Sequence, residues 1–205
     1  MGTSEIKRLL KIGEGNDQDK GIGVVPSPIG YSEDQIGGAS LDLRLGRWFL
    51  ALHQSKRPTI DLSRNDTRSL DSRHGRSYYV PFNDVFVVHP GRFVLASTLE
   101  WVRLPLNLGA YITGKSQLGR RGLIIETAAG IHPGFSGCLA LEITNCGEVP
   151  IAITPGMRIA QIFFHKVSGK AAPPASKFSG HRKPLFGRYA LDFKTSEEAT
   201  LFQEE

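Results

Sequence analysis

Cysteine is scarce in this chain of 205 residues, which contains Cys138 and Cys146 and no other. A zinc site needs several Cys or His residues at short spacings, and the zinc-dependent nucleobase deaminases carry His-x-Glu followed by Pro-Cys-x-x-Cys. None of the six histidines has a glutamate two positions later. The sequence therefore predicts no zinc site, and we expect both cysteines to be reduced and packed on or beside a strand.

Long apolar runs and targeting signals are also missing. No apolar run approaches the roughly 18 to 20 residues that a membrane span requires. The first residues have no apolar signal-peptide core, and Ile6 occupies the position where a myristoylation signal has Ser or Thr. We therefore expect a cytoplasmic protein without membrane contact.

Basic residues are in excess, with a formal net charge of +5 and a pI of about 9.3. They are scattered, without the aromatic and basic interleaving of single-strand binders and without a zinc-finger or basic-zipper pattern. A small phosphorylated ligand explains the excess equally well. Nucleic acid is therefore kept only as a minor alternative partner.

Short β-rich runs dominate the sequence from Tyr78 onward. They recur roughly every 8 to 12 residues between turn segments, at residues 79–80, 85–88, 92–96, 110–113, 123–125, 138–144, 151–153 and 159–164. One short helix is predicted at residues 4–11 with Ser4 as its N-cap, and a further strand at residues 40–44. Many short strands without a second long helix predict an all-β fold, a barrel or a jelly roll.

The chain changes composition in two places. Residues 54–77 form a polar excursion from a β-rich domain that is predicted to span residues 1–167. From Ser168 onward, a stretch rich in Gly, Ala and Pro precedes residues 177–188, which hold five basic or histidine residues and no acid. Residues 168–205 are therefore predicted to form a basic, flexible C-terminal tail.

The segment 115–122 (KSQLGRRG) and the later Glu142 are the most informative features of the sequence. Cationic and hydroxyl groups on a glycine-bounded turn can hold phosphate oxygens. The run 138–145 (CLALEITN) alternates as a strand does, which places its large apolar residues on one face and Glu142 on the other. A carboxylate in this position can act as a base. A solvated loop and a salt-bridged strand glutamate remain the alternatives.

Five segments, one of which contains most of the basic turn, follow one another along the chain. They are 39–46 (ASLDLRLG), 93–100 (FVLASTLE), 114–120 (GKSQLGR), 133–137 (PGFSG) and 155–161 (PGMRIAQ). Together with Glu142 they resemble the dCTP deaminases, a family of the trimeric dUTPase-like superfamily, over about residues 35–166. The resemblance implies a distorted jelly roll of the β-clip type, assembled as a homotrimer. It also implies an enzyme of pyrimidine deoxynucleotide metabolism that deaminates dCTP to dUTP and ammonia, with Mg²⁺ bound through the substrate triphosphate and no metal at the attacked carbon.

The same resemblance assigns roles to individual residues. Glu142 is expected to move protons between water and the pyrimidine, and Ser116 and Arg120 are expected to lie near the reacting carbon and the phosphates. The residues expected to contact substrate are Lys115, Gln117, Thr127, Ala128, His132, Phe135, Gln161, Phe178, Lys183 and Arg188.

Several positions depart from the family pattern. Gln117 replaces a serine, Glu126 replaces a His or Gln in a segment one residue shorter, and His132 replaces an aspartate that positions water in the triphosphatase branch. In the tail, which in relatives closes over the triphosphate as a lid, Phe178 replaces a tyrosine. A bifunctional dCTP deaminase and dUTP diphosphatase, and a nucleotide-binding sensor without turnover, therefore remain alternatives to the deaminase.

Overall fold

The computed structural model describes residues 1–15, 20–30, 32–53, 75–126, 130–169 and 179–186. The chain divides into two compact units. The first comprises Met1–Ala51 with Ser77–Leu185, and the second comprises Leu52–Arg76 with Phe186–Glu205. All predicted site residues within the described ranges belong to the first unit. The boundary predicted at residue 167 stays a prediction.

The N-terminal helix α1 spans Thr3–Glu14, longer than predicted at both ends. Its N-cap is Gly2, so the prediction of Ser4 as N-cap is wrong. The first residue of the helix is tied to a distant loop, because the Thr3 hydroxyl donates to the carbonyl of Gly37 at 2.8 Å. Ile6, Leu9 and Leu10 lie on the buried side of α1, as the sequence pattern indicates.

The described strands, in chain order, are β1 Gly23–Val25, β2 Leu41–Leu52, β3 Gly75–Tyr79, β4 Phe86–Val88, β5 Phe93–Arg103, β6 Leu108–Gly114, β7 Leu123–Glu126, β8 Gly130–Ile131, β9 Ser136–Asn145, β10 Ile151–Ile153 and β11 Arg158–Lys166. The main sheet has the order β7-β9-β5-β2-β11-β6-β8, with β1 beside β5 and β3 beside β2. A second sheet pairs β10 with β4. The pairings whose registers are resolved are antiparallel. The fold is mostly β with few helices among the described residues, which confirms the β class, and the distorted jelly roll stays a prediction.

Strand β2 is much longer than the strand predicted at residues 40–44, because it continues through a bulge. The register against β5 shifts between Leu45 and Phe49. Gly46 makes the bulge possible, since a Cβ at this position would lie 2.7 Å from the carbonyl oxygen of Ser97. The bulge interrupts the alternation of side chains, so the sequence pattern does not predict the second half of β2 as part of the strand.

Strand β9 lies between β7 and β5 and carries the clearest alternation. Leu139, Leu141 and Ile143 are buried in the core, with at most 6% of the surface of each residue exposed. The intervening residues, Glu142 among them, face away from that core. The orientation of Glu142 predicted from the sequence is therefore confirmed, and the strand that carries it packs against the core through its other face.

A buried ion pair joins β2 to β5. The Glu100 side chain is 2% exposed and accepts hydrogen bonds from Arg44 Nε at 2.6 Å and from the Arg44 backbone N–H at 2.8 Å. Gln35 Nε2 donates to the same carboxylate at 3.3 Å. The carboxylate therefore connects two strands and the short 3₁₀ turn Glu33–Gln35.

Replacing Glu100 with glutamine should lower the free energy of unfolding by about 3 kcal/mol, because Arg44 then keeps a largely buried charge without its counter-ion. Urea denaturation followed by circular dichroism measures the change. Glu148→Gln is the matched control, because Glu148 is exposed and lies beyond the end of β9. Equal stabilities of the two variants would show that the pair is not important for the fold.

Candidate active site

The basic turn predicted to hold phosphate follows β6 directly. Lys115 leads into a one-turn helix, Ser116–Gly119, and its carbonyl accepts the backbone N–H groups of Leu118 at 2.9 Å and Gly119 at 3.2 Å. The turn ends at Gly122, whose φ of 87° lies in the left-handed region that favours glycine. A Cβ there would also lie 2.9 Å from the backbone nitrogen of Gly147. The glycine-bounded turn expected from the sequence is therefore formed.

Lys115 is not a free cation in this structure. Its ammonium lies 2.5 Å from Asp42 Oδ2 on β2, and the two side chains are 25% and 13% exposed. Gln161 on β11 pairs in register with Asp42 on one side and with Thr113 on the other. The predicted contacts Lys115 and Gln161 thus lie close together, with Asp42 as a neighbour that the sequence did not single out. An ammonium has three donors, so Lys115 can hold Asp42 and still offer a donor to a phosphate.

Arg120 contrasts with both of its basic neighbours. Arg121 donates from Nη1 to the carbonyl of Gln117 at 2.7 Å, which ties that side chain to the turn. Arg120 is exposed, and no carboxylate in the described ranges pairs with its guanidinium. The Ser116 and Gln117 side chains are exposed beside it. Within the described part of the turn, Arg120 is therefore the guanidinium with open donors.

Glu142 lies in the middle of three paired strands. In register, Leu95 of β5 is opposite on one side and Glu126 of β7 is opposite on the other. Glu142 is partly buried, Glu126 is exposed and Leu95 is buried. No cation within the described ranges pairs with either carboxylate. The alternative of a salt-bridged Glu142 thus finds no support among the described residues.

The basic turn lies beside the end of β9, whereas Glu142 lies within the strand. Cys146, directly after β9, donates its backbone N–H to Gly122 at 2.8 Å, so the turn lies beside the end of this strand. Glu142 lies four residues earlier. At about 3.3 Å per residue, the separation along the strand is roughly 13 Å. An elongated ligand with phosphates at one end and a base at the other suits such a spacing.

The loop before β9 places two predicted contacts differently. His132 is exposed, and its carbonyl accepts the backbone N–H of Phe135 at 3.2 Å. Phe135 is only 9% exposed, belongs to the core, and accepts the backbone N–H of Leu104 at 2.9 Å. His132 is available to a ligand, whereas Phe135 mainly shapes the loop. Substrate contact by either residue stays a prediction.

Residues 179–185 of the predicted tail are attached to β9 and β5. Gly180 donates its backbone N–H to the carbonyl of Ser136 at 2.7 Å, and Cys138 donates to the carbonyl of His181 at 3.0 Å. The Ser97 hydroxyl donates to the carbonyl of Arg182 at 3.0 Å. Burial raises the pKa of the Cys138 thiol, while the charge of Arg182 acts in the opposite direction. This segment therefore lies along the beginning of the strand that carries Glu142.

Two basic side chains of segment 179–185 lie over aromatic rings. Arg182 lies over the Trp101 ring, with its Cζ 5.1 Å from the centroid, and Trp101 Nε1 donates to Ser136 Oγ at 2.9 Å. Lys183 Nζ lies 3.9 Å from the centroid of Trp48. Cation–π contacts of this kind stabilise by about 0.5 to 2 kcal/mol each. The predicted substrate contact Lys183 is thus placed on an indole ring in this structure.

Four predicted substrate contacts, Thr127, Ala128, Phe178 and Arg188, lie outside the described residues. In the described part of the chain, no group of three or more His, Cys, Asp and Glu side chains could hold a metal ion. No helix within the described ranges is long and apolar enough to cross a membrane.

Comparisons with known proteins identify the family of the chain. The family model described as dCTP deaminase-like matches residues 17–167. A protein of Dictyoglomus thermophilum named "dCTP deaminase, dUMP-forming" is 36% identical over 208 residues, covering 97% of this chain and 98% of that protein. A Pasteurella multocida protein named "dCTP deaminase" is 40% identical over 159 residues, covering 76% of this chain and 80% of that protein.

A solved structure shows the same fold. The 2'-deoxycytidine 5'-triphosphate deaminase of Agrobacterium tumefaciens matches with a TM-score of 0.57 at 24% identity, covering 80% of this chain and 46% of that one. The family and the enzyme class predicted from the sequence are both confirmed. The chain belongs to the dCTP deaminase-like family.

Proposed function

We propose that this protein hydrolyses the 4-amino group of dCTP and releases ammonia. The observation that carries the proposal is Glu142, a partly buried carboxylate in the middle of the sheet, turned away from the core and without a cationic partner among the described residues. A relative named for dCTP deamination, from Dictyoglomus thermophilum, aligns over 97% of this chain.

One carboxylate can serve the whole reaction. Glu142 takes a proton from water as the oxygen bonds to C4 of the ring, and it delivers that proton to the adjacent ring nitrogen. Glu142 then takes the second proton of the bound water and gives it to the amine. The C4–N bond breaks, ammonia leaves with the bonding electrons, a carbonyl forms at C4, and the ring nitrogen keeps the proton that it received, as in uracil.

The basic turn supplies the phosphate end of this proposal. Arg120 offers several donors in a planar fork, and Ser116 offers a hydroxyl. Lys115 contributes through an ammonium that Asp42 holds in place. Mg²⁺ would be bound through the triphosphate, because no described cluster of carboxylates provides a cage for it. The homotrimer and the cytoplasmic location remain expectations from the sequence.

The names of several relatives indicate a different end product from the one expected from the sequence. Relatives such as the Dictyoglomus thermophilum protein are named for forming dUMP rather than dUTP. We therefore propose that deamination is followed by hydrolysis of the triphosphate, which gives dUMP, ammonia and diphosphate. The exposed His132, at a position where an aspartate would hold the attacking water, favours a second candidate that stops at dUTP.

Incubating the protein with Mg²⁺ and dCTP, and measuring ammonia, diphosphate, dUMP and dUTP together, tests the proposal. Equal amounts of ammonia, diphosphate and dUMP are expected. Accumulation of dUTP without diphosphate would establish the second candidate instead. Tight nucleotide binding without ammonia would overturn both and identify the protein as a sensor.

A further inference from the structure

Two carboxylates are placed directly opposite each other on neighbouring strands. Glu126 of β7 and Glu142 of β9 are partners in the antiparallel register. Side chains at such positions project from the same face of the sheet, with their Cβ atoms about 5 Å apart. Glu126 ends β7 and is exposed, whereas Glu142 is partly buried.

This pairing has no structural compensation in the described part of the chain. Like charges at directly opposed positions destabilise a sheet. No ion pair or hydrogen bond within the described ranges neutralises either carboxylate, although other acids, such as Asp42 and Glu100, are each paired with a cation. The arrangement therefore suggests that a ligand supplies the missing donors.

We propose that Glu126 is a specificity-determining residue that recognises the 4-amino group of the cytosine ring, an inference that rests on the proposed function. An ionised carboxylate only accepts hydrogen bonds, and it is a suitable partner for the exocyclic amine of cytosine. The same carboxylate faces an oxygen when the ring carries a 4-carbonyl. Two acceptors then oppose each other, and uracil or thymine nucleotides are disfavoured.

The register decides which side of Glu142 the amine occupies. Glu142 acts at C4, and the amino nitrogen is bonded directly to that carbon. One neighbour of Glu142 across the sheet is Leu95, which is 7% exposed and has a side chain without polar atoms, and the other is Glu126. Of these two described neighbours, Glu126 is the one whose side chain can accept hydrogen bonds from the N–H donors of the amine. The amino group therefore points toward β7.

Product release follows from the same contact. Before the reaction, Glu126 accepts a hydrogen bond from the amine, and after the reaction it faces the new carbonyl oxygen. The interaction changes from attractive to repulsive at the moment when the C4–N bond has broken. Glu126 thus favours departure of the uracil nucleotide and limits inhibition by nucleotides that carry a 4-carbonyl.

Equilibrium binding of dCMP and dUMP to the intact protein tests this role, because the two probes share the same sugar and phosphate. The wild type should bind dCMP at least about tenfold more tightly than dUMP. In Glu126→Gln the amide can donate to the carbonyl, so the preference should fall to about twofold or less. Glu126→Asp keeps the charge and should retain a preference for dCMP. Glu148→Gln, at an exposed position past the end of β9, should keep the full preference.

The possible failures can be told apart. An unchanged dCMP preference in Glu126→Gln, with a melting temperature no lower than that of the wild type, would overturn the inference, and ammonia release from dCTP would still support the proposed function. Absence of ammonia with a preference that Glu126→Gln abolishes would overturn the proposed function and leave the recognition by Glu126 established. Repeating the dCTP titration in Glu142→Gln chains removes deamination as a source of error.

Discussion

Replacing Glu142 with glutamine is expected to lower kcat for ammonia release by two or more orders of magnitude, while nucleotide binding stays within a few-fold. Glutamine preserves the shape and the hydrogen-bonding capacity of the side chain and removes its ability to take a proton. The substitution lies in the middle of β9, between the buried residues Leu141 and Ile143, so the strand should keep its place in the sheet. Single-turnover ammonia release and equilibrium titration with dCTP measure the two quantities.

Glu148→Gln provides the control for the loss of one negative charge. Glu148 follows Glu142 by six residues, is exposed, and lies beyond the end of β9. Its substitution should leave both kcat and binding unchanged. Normal ammonia release from Glu142→Gln would show that another group moves the protons, and a parallel loss of binding would show that Glu142 mainly holds the nucleotide.

Strand β9 shows what the sequence can predict well. Its leucines and isoleucine alternate with small and polar residues over 138–144, and the strand lies between two others. A strand with one face in the core must obey this alternation, because a shift by one residue would expose the apolar set. The sequence alone therefore predicts the outward direction of Glu142.

Features set by distant contacts could not be derived in this way. Thr3 at the start of α1 donates its hydroxyl to the carbonyl of Gly37, and the bulge of β2 depends on Gly46 approaching Ser97 on β5. Both contacts join residues far apart in sequence, so they cannot be predicted from local secondary-structure propensity. Ser4 is the better N-cap residue by type and is nevertheless inside the helix.

The candidate site shows the same limit. The sequence identified Lys115 and Glu142, but their neighbours Asp42 and Glu126 depend on which strand is adjacent and in which register. Lys183 was expected to meet phosphate and lies on the ring of Trp48, which is contributed by β2. The residue types in the sequence therefore indicate the chemistry of the site, whereas the strand order and register of the sheet determine which side chains lie beside each other.

Arg120→Ala should raise the dissociation constant for dCTP by about thirty- to a hundred-fold, because it removes the guanidinium that has no partner within the described turn. A charge-assisted, forked contact to phosphate contributes about 2 to 3 kcal/mol, and each 1.4 kcal/mol changes affinity tenfold. Binding of the nucleoside deoxycytidine, which has no phosphate, should change by less than twofold. Calorimetric titration with both ligands separates a phosphate contact from a general loss of structure.

Arg121→Ala is the matched control, since it removes the same charge from the adjacent position of the same turn. Arg121 already donates to the carbonyl of Gln117 at 2.7 Å, so its guanidinium has less capacity for a ligand. Its substitution should weaken dCTP binding by no more than about threefold, the effect of one exposed charge. If both substitutions weaken binding equally, the turn attracts phosphate only through its net charge. If Arg120→Ala weakens deoxycytidine as strongly as dCTP, Arg120 supports the base end of the site, and the assignment of this turn to the phosphates is wrong.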